Sequence, residues 1–371
     1  MPRSRTVAAT KSPSAAKKLK DTLLIKISSE KPEIEKIQLA ANVINKGGLV
    51  AFPTETVYGL GADALNSKAV EKIFAAKKRP PDNPIIVHVA SKGDVYRLAK
   101  SVPKGAEKLM SQFWPGPLTL ILKRSELVPD ITVVGLDTIA IRMPNNEVAL
   151  ALIRESRTPI AAPSANLAGR PSPTTAQHVI DDLAGRIDVV LDAGPTRIGV
   201  ESTVVDMTTS IPVVLRPGGT PFEKLKNVLG KVDLHPTVIA TRKRRVDVAR
   251  SPGMKHRHYA PKAEMVVVEG KPEKVLKKVQ GLVASYMAKD KKVGVLATNE
   301  SQSNYNADVV KSLGSRSDPD TIAKNLFKLL RELDQENVDV IIAEGIAAEG
   351  LGLAVMNRVR RAANFNIVKV S

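Results

Sequence analysis

The chain reads as an α/β protein: a large twisted mixed sheet flanked by helices, followed by a small Rossmann-like doubly wound domain. Three observations predict this. Its 371 residues exceed the ~250 at which a single hydrophobic core stops growing, so two compact domains are expected. From Leu23 onward, apolar runs of strand length alternate with segments of helical spacing. Between residues 230 and 262 that periodicity lapses into basic, Pro-rich sequence, and a second, cleaner alternation begins after it.

The elements follow in order. Residues 1–20 carry Arg3, Arg5, Lys11, Lys17, Lys18 and Lys20 with no acid, and are expected to be a disordered basic tail. The first domain is expected over 21–229. Ile34, Ile37, Ala41 and Ile44 recur at helical spacing until Gly47-Gly48 stops the helix. Leu49 to Pro53 is a buried strand, and Asn66 or Ser67 caps a helix that buries Val70, Ile73 and Phe74. Pro84 to Val89 is a strand; Trp114 to Pro117 form a rigid turn into a strand beginning at Leu118. Further strands are expected at Thr138–Met143, Pro159–Ala162, Asp188–Asp192, Ser202–Met207 and Val213–Arg216. Short, hairpin-like links between the last of these favour a mixed sheet over a parallel one. Residues 230–262 form a basic linker, and 263–371 the second domain. There, strands at Met265–Val268, Val293–Ala297, near Val309, at Val338–Ala343 and at Phe365–Val370 alternate with helices at Pro272–Lys289, Asp320–Asn337 and Gly352–Ala363.

Composition narrows the function. The net charge of +18 implies anionic partners such as nucleotides or RNA. Aromatic residues make up only 3%, which disfavours a stacking surface for single-stranded RNA. With no cysteine there is no thiolate nucleophile, disulfide or cysteine-based zinc site, and a reducing cytoplasm is the expected compartment. No apolar run approaches the ~20 residues that span a bilayer, and the basic start lacks the apolar core of a signal peptide. His256 and His258 form an isolated H-x-H, too few ligands for zinc.

Several residues could carry chemistry. Gly59-Leu60-Gly61-Ala62-Asp63-Ala64 matches the dinucleotide fingerprint, but the following helix opens too late for it. Gly350-Leu351-Gly352 opens a helix directly after a strand, either as a phosphate loop or as a close-packed helix start. Lys77 and Arg79 precede Pro80-Pro81-Asp82-Asn83-Pro84, either as a helix cap or as a rigid polyphosphate clamp. Ser164 and Asn166 lie just past a strand end, where short polar side chains can hold phosphate oxygens. Arg142 and Arg216 interrupt apolar strands; each needs a buried partner, from the protein or from a bound carboxylate or phosphate. His88 interrupts another strand, as a core histidine or a substrate contact. Few acids adjoin these positions in sequence, so any Mg2+ would be held mainly by substrate phosphates and water.

The ordered segments Phe52–Ala64, Ala75–Val89, Trp114–Leu122, Ile139–Pro144, Pro159–Thr174, Gly199–Met207 and Val214–Gly218 together resemble the YrdC-like family. Its K-x-R and S-x-N pairs match Lys77/Arg79 and Ser164/Asn166. The resemblance spans roughly 23–220 and runs on through the linker, as in the family's long, two-domain form. It implies that L-threonine, bicarbonate and ATP become threonylcarbamoyl-adenylate and pyrophosphate, a nucleotidyltransferase reaction. A tRNA threonylcarbamoyl transferase, KEOPS-type or equivalent, would use the product, and direct tRNA contact is left open. By motif match, Thr56, His88, Arg142, Ala162 and Ser202 would line the threonine site. Arg79, Asn83, Thr138, Ser164, Ser172 and Arg216 would surround ATP, and Lys77 and Asn166 would complete the phosphate and bicarbonate environment. The linker would fold over the pocket and bring His256 or Tyr259 near ATP. Two other readings compete: an RNA-binding protein without catalysis, and a related carbamoyl-transferring domain. The first needs exposed cations, and the second needs a hydrolytic domain for which the sequence shows no candidate.

Overall fold

The computed structural model describes residues 16–19, 21–242, 250–251 and 258–371. The N-terminal sheet contains 13 strands. They are β1 (Ala16–Leu19), β2 (Thr22–Lys26), β3 (Val50–Phe52), β4 (Gly59–Asp63), β5 (Ile86–His88), β6 (Ala99–Ser101), β7 (Leu118–Arg124), β8 (Thr138–Arg142), β9 (Ile160–Ala161), β10 (Val189–Asp192), β11 (Thr203–Asp206), β12 (Val213–Arg216) and β13 (Asp233–Leu234). The order is β1-β2-β10-β3-β4-β9-β5-β8-β7-β11-β12-β13, with β6 on β7. Parallel pairs such as β5/β8 and β7/β11 alternate with antiparallel ones such as β7/β8 and β11/β12, so the sheet is mixed as expected.

Alternation along each strand sends side chains to two different cores. Ala51, Leu60, Ala62, Val87, Leu120, Ile141 and Val190 face one side, beneath helices that contribute Val70, Ile73, Leu109 and Val179. Val50, Phe52, Ile160, Val189 and Leu191 face the other, beneath Ile37, Ala41 and Ile44 of the helix Ile34–Asn45 and Val148 and Leu152 of the helix Glu147–Ser156. Burying each Val, Leu, Ile or Phe among them contributes about 1.5–3 kcal/mol.

One expectation is corrected here. Part of the basic tail is a strand: β1 pairs antiparallel with β2, from Ala16 opposite Ile25 to Leu19 opposite Thr22. The edge of β2 presents backbone groups that a following chain can pair, a pull that side-chain composition does not reveal. Residues 1–15 and 20 lie outside the described residues. The dinucleotide-like glycines belong to strand β4. A Cβ on Gly61 would meet Ile160 and Phe52 at 2.8 Å, so this glycine serves close packing within the sheet.

The C-terminal sheet contains β14 (Glu264–Gly270), β15 (Val293–Ala297), β16 (Val309–Ser312), β17 (Val340–Glu344) and β18 (Ile367–Val370), all paired in parallel in the order β16-β15-β17-β14-β18. Val275, Val279 and Val283 of the helix Pro272–Met287 cover one face, against Val268, Val295 and Ile342. The helices Pro319–Gln335 and Leu351–Ala362 cover the other, packing Leu326, Leu330 and Val355 against Val267, Leu296 and Ile341. This is a doubly wound domain, but its fourth strand inserts between the first and second, unlike the dinucleotide-binding order. At Gly352 a Cβ would lie 2.2 Å from the Ala347 carbonyl, so this glycine marks a close-packed helix start.

Candidate active site

The site is built on one cross-strand row of the N-terminal sheet. In the register, His88 of β5 is opposite Arg142 of β8, Arg142 is opposite Thr119 of β7, and Thr119 is opposite Val204 of β11. Val204 in turn is opposite Arg216 of β12. Arg216 reaches this row because the β11/β12 register slips by one residue at a bulge, which leaves Leu215 unpaired. A bulge turns the following side chain to the other face, a common device beside functional sites. The row therefore carries two arginines and a histidine on one face, among otherwise apolar strands.

Loops close the cavity above that row. The helix Ser67–Lys77, capped by Asn66 Oδ1 accepting from the Ala69 amide, ends at Lys77; Lys78 follows in the left-handed region. Lys77 is buried, and its Nζ donates to the carbonyls of Ser164 and Asn166. Ser164 Oγ donates to Asn166 Oδ1 at 2.6 Å, and Asn166 Nδ2 donates to the carbonyls of Leu167 (2.7 Å) and Arg170 (3.0 Å). The K-x-R and S-x-N pairs are thus parts of one hydrogen-bonded corner. Arg79 Nη2 donates to the Asn83 carbonyl at 2.7 Å, with its guanidinium 5.5 Å from the Phe74 ring centroid.

The cavity has a volume of about 340 Å³, within the ordinary range for a small-molecule site. Lys77, Arg79, Arg142, Arg170 and Arg216 all line it, so its field favours anions. Arg142 Nη2 lies 2.7 Å from Glu55 Oε2. The pair is close enough to neutralise charge but not aligned for a hydrogen bond, and Nη2 has no hydrogen-bond partner among the described residues. Arg142 also lines the cavity, where a planar carboxylate could pair with its guanidinium. Arg216 donates through Nε to the Ser202 carbonyl and through Nη2 to Ser202 Oγ, each at 3.1 Å. Ser202 Oγ also contacts Thr119 Oγ1 at 2.7 Å.

Burial shapes the titrating groups. Lys77 is pushed well below the usual lysine value, first by burial and then by the charge of Arg79. Burial, reinforced by Arg142, lowers His88 to about 3, so its imidazole is neutral at physiological pH. His88 Nδ1 is buried with no hydrogen-bond partner among the described residues. Burial and the Arg79 charge likewise lower His258 to about 3, and His258 Nε2 is also without a hydrogen-bond partner among them. Burial raises the Glu201 carboxyl, but the guanidiniums of Arg358 and Arg216 outweigh this and hold it below its usual range. Ser172 Oγ donates to Glu201 at 2.6 Å.

Residues 42–218 match the family model described as Telomere recombination, which covers the Sua5, YciO and YrdC proteins. Residues 221–364 match the one described as Threonylcarbamoyl-AMP synthase, C-terminal domain. The threonylcarbamoyl-AMP synthase of Pyrococcus abyssi is 53% identical, covering 94% of this chain and 100% of its own. That of Bacillus subtilis is 48% identical over 92% of this chain and 96% of its own. The chain belongs to the threonylcarbamoyl-AMP synthase family. The crystal structure of P. abyssi Sua5 complexed with L-threonine superposes with a TM-score of 0.90 at 53% identity, covering 94% of this chain and all of that one.

Among the residues expected from sequence, Lys77, Arg79, His88, Arg142, Ala162, Ser164, Asn166, Ser172, Ser202, Arg216 and Tyr259 line the cavity of this synthase-family fold. Thr56, Asn83 and Thr138 are buried but do not belong to its lining. Thr54 lines it instead, with Thr56 behind, their hydroxyls 2.8 Å apart. His256 lies outside the described residues; its neighbour His258 lines the cavity. Sequence reasoning missed Glu55, Glu201 and Arg170, and expected few acids nearby. Glu201 immediately precedes Ser202, and an acid next to a residue already singled out was the available signal. The donors do not form a resident metal site: among the described residues no cluster of three potential ligands occurs, and both acids face arginines.

Proposed function

We propose that this chain joins L-threonine, bicarbonate and ATP into threonylcarbamoyl-adenylate with release of pyrophosphate. The observation that carries the proposal is the convergence of Lys77, Arg79, Arg142, Arg170 and Arg216 on one cavity. The relative's threonine complex supports threonine as the amino acid. The substrate amine takes up bicarbonate carbon as a carbamate, and water is lost. A carbamate oxygen then attacks the α-phosphorus, and pyrophosphate leaves. Neither step needs a protein nucleophile. Both need fixed cations around developing charge and exclusion of water from a labile carbamate.

In this reading Arg142 receives the threonine carboxylate, and neutral His88 offers Nδ1 to the bound amino acid without adding charge. Ser202 and Ala162 shape the same end. Arg79, Ser164, Ser172 and Arg216 surround the nucleotide, with Lys77 and Asn166 at the phosphates. His258 and Tyr259 cover the opening. Thr56, Asn83 and Thr138 then support the site from behind. Mg2+ arrives as the counter-ion of ATP, held by phosphates and water as that ion prefers. No described helix is long and apolar enough to cross a membrane; in the proposed setting the enzyme works in the cytoplasm. Its labile product passes to a tRNA threonylcarbamoyl transferase, KEOPS-type or equivalent. The division into 21–229, 230–262 and 263–371 is part of the same proposal.

Pyrophosphate release from ATP, measured with and without L-threonine and bicarbonate, tests the proposal, with serine and glycine as controls. Release that requires both co-substrates and favours threonine is expected. A folded protein that releases no threonine-dependent pyrophosphate overturns it.

A further inference from the structure

Both walls of the cavity are tied from behind by arginines of the C-terminal domain. Asp182 is buried in the N-terminal part, where its carboxylate accepts from the Leu167 amide at 3.2 Å and pairs with Arg170. Arg331, on the helix Pro319–Gln335, donates to both Asp182 oxygens, at 2.8 and 3.3 Å, and to the Pro171 carbonyl at 2.6 Å. Arg331 therefore grips both ends of the segment 167–171, directly after the loop that holds Lys77, Ser164 and Asn166.

Arg358, on the helix Leu351–Ala362, does the same to the other wall. It is fully buried, and Nε donates to Glu201 Oε2 at 2.8 Å while Nη1 donates to the Pro217 carbonyl at 2.7 Å. Glu201 holds Ser172, and Pro217 follows Arg216. The Arg358 guanidinium also lies 5.5 Å from the centroid of the Tyr259 ring, on which Phe327 stacks at 5.2 Å. One side chain thus joins two wall loops and the linker.

Stability alone does not account for these pairs. A buried ion pair often stabilises no more than an apolar replacement of the same volume, because desolvation offsets the attraction. Each arginine also leaves a buried N–H without a hydrogen-bond partner among the described residues, Nε of Arg331 and Nη2 of Arg358. Such an orphan costs free energy that simple interdomain packing would avoid.

We propose that Arg331 and Arg358 are positioning residues for the adenylation site, so that the C-terminal domain sets the geometry of the cavity without touching substrate. This rests on the reading of the cavity as the site for threonine and ATP. The test uses the full chain in the forms Arg331→Lys, Arg358→Lys and the charge-neutral double variant Arg331→Met/Asp182→Asn. Lysine keeps the charge that the buried acid needs but lacks the planar fork whose several N–H groups hold acid and carbonyl in one fixed geometry. Threonine-dependent pyrophosphate release, calorimetric affinity for a non-hydrolysable ATP analogue and thermal midpoints are measured beside the wild type.

The expected result is a tenfold or greater loss in kcat/KM and in analogue affinity, with thermal midpoints within a few degrees of wild type. Folded variants that retain both within threefold would reduce the arginines to interdomain glue and overturn the inference. If the double variant does not fold, the two lysine variants decide. A wild type that binds the analogue but releases no threonine-dependent pyrophosphate refutes the functional reading. The analogue affinities then still decide the positioning role.

Discussion

Arg142 holds two relations at once. It neutralises Glu55, which is 1% exposed, and it lines the cavity. Arg142→Met should therefore have two separable effects. Leaving the Glu55 carboxylate buried and unpaired costs about 3–5 kcal/mol of stability, seen as a lower urea midpoint. The KM for threonine should also rise by an order of magnitude or more. Adding Glu55→Gln should restore the midpoint and leave the KM high; recovery of both would show that Arg142 acts only as a partner for Glu55. His88 makes a pH prediction. Its folded value, about 3, lies below the ordinary histidine value of 6.5. As pH falls through 6.5, the unfolded chain takes up a proton that the folded chain refuses, so stability is full above that pH and declines below it. Between pH 7 and 5 the decline attributable to this residue is about 2 kcal/mol. Urea unfolding of His88→Gln at both pH values should lose that part of the slope, and an identical slope would contradict the buried neutral imidazole.

At the scale of elements, two local features deliver the cations. The helix Ser67–Lys77 ends where Lys77 meets the loop carbonyls, and its first turn is held by the Asn66 cap. Asn66→Ala should lower stability by about 1 kcal/mol while kcat stays near wild type, because the far end of the helix is fixed by Lys77 itself. A collapse in kcat with unchanged stability would place Asn66 in the reaction. On the other wall, the backbone after β12 passes directly over the start of β11. A Cβ on Gly218 would lie 2.3 Å from backbone atoms of Glu201, Ser202 and Thr203. Gly218→Ala must push these strands apart, at about 3 kcal/mol, and should weaken ATP-analogue binding by displacing Arg216. Thermal melts and calorimetry check it; normal affinity would mean that the bulge alone positions Arg216.

For the whole molecule, the cores continue across the junction. Val57 and Val200 of the N-terminal part pack in the same apolar cluster as Leu326, Phe327 and Val355, and Tyr259 of the linker lies among them. A chain ending at residue 229 would lose that cover and leave Asp182 and Glu201 without their C-terminal arginines. Asp182 keeps Arg170, but the lost apolar cover and the two lost interdomain ion pairs remove a large share of the stability of a typical domain. Such a chain should aggregate or bind a hydrophobic dye, measured by gel filtration and fluorescence. Asp182→Asn/Glu201→Gln in the shortened chain should recover part of the folded fraction. A shortened chain that is monomeric, melts cooperatively and binds no dye would show that the N-terminal part is self-sufficient.

The sequence by itself determined the α/β class and most element boundaries. Strand Val213–Arg216 and the Asn66 cap are examples, because period, capping and turn chemistry are local properties. It also marked Lys77, Arg79, Arg142 and Arg216, since a cation in an apolar strand or a rigid turn is conspicuous without any structure. Only the tertiary structure decided that His88, Arg142 and Arg216 share one row, because register and bulge depend on partners distant in sequence. It likewise set Thr54 in the cavity lining, with the Thr56 hydroxyl 2.8 Å from its own, since nearby loop residues differ in where they point, not in type. The pairing of β1 and the joining of Asp182 to Arg331 and of Glu201 to Arg358 are non-local contacts. Each depends on free backbone groups or a charge that a remote segment must satisfy, and no local pattern names that segment.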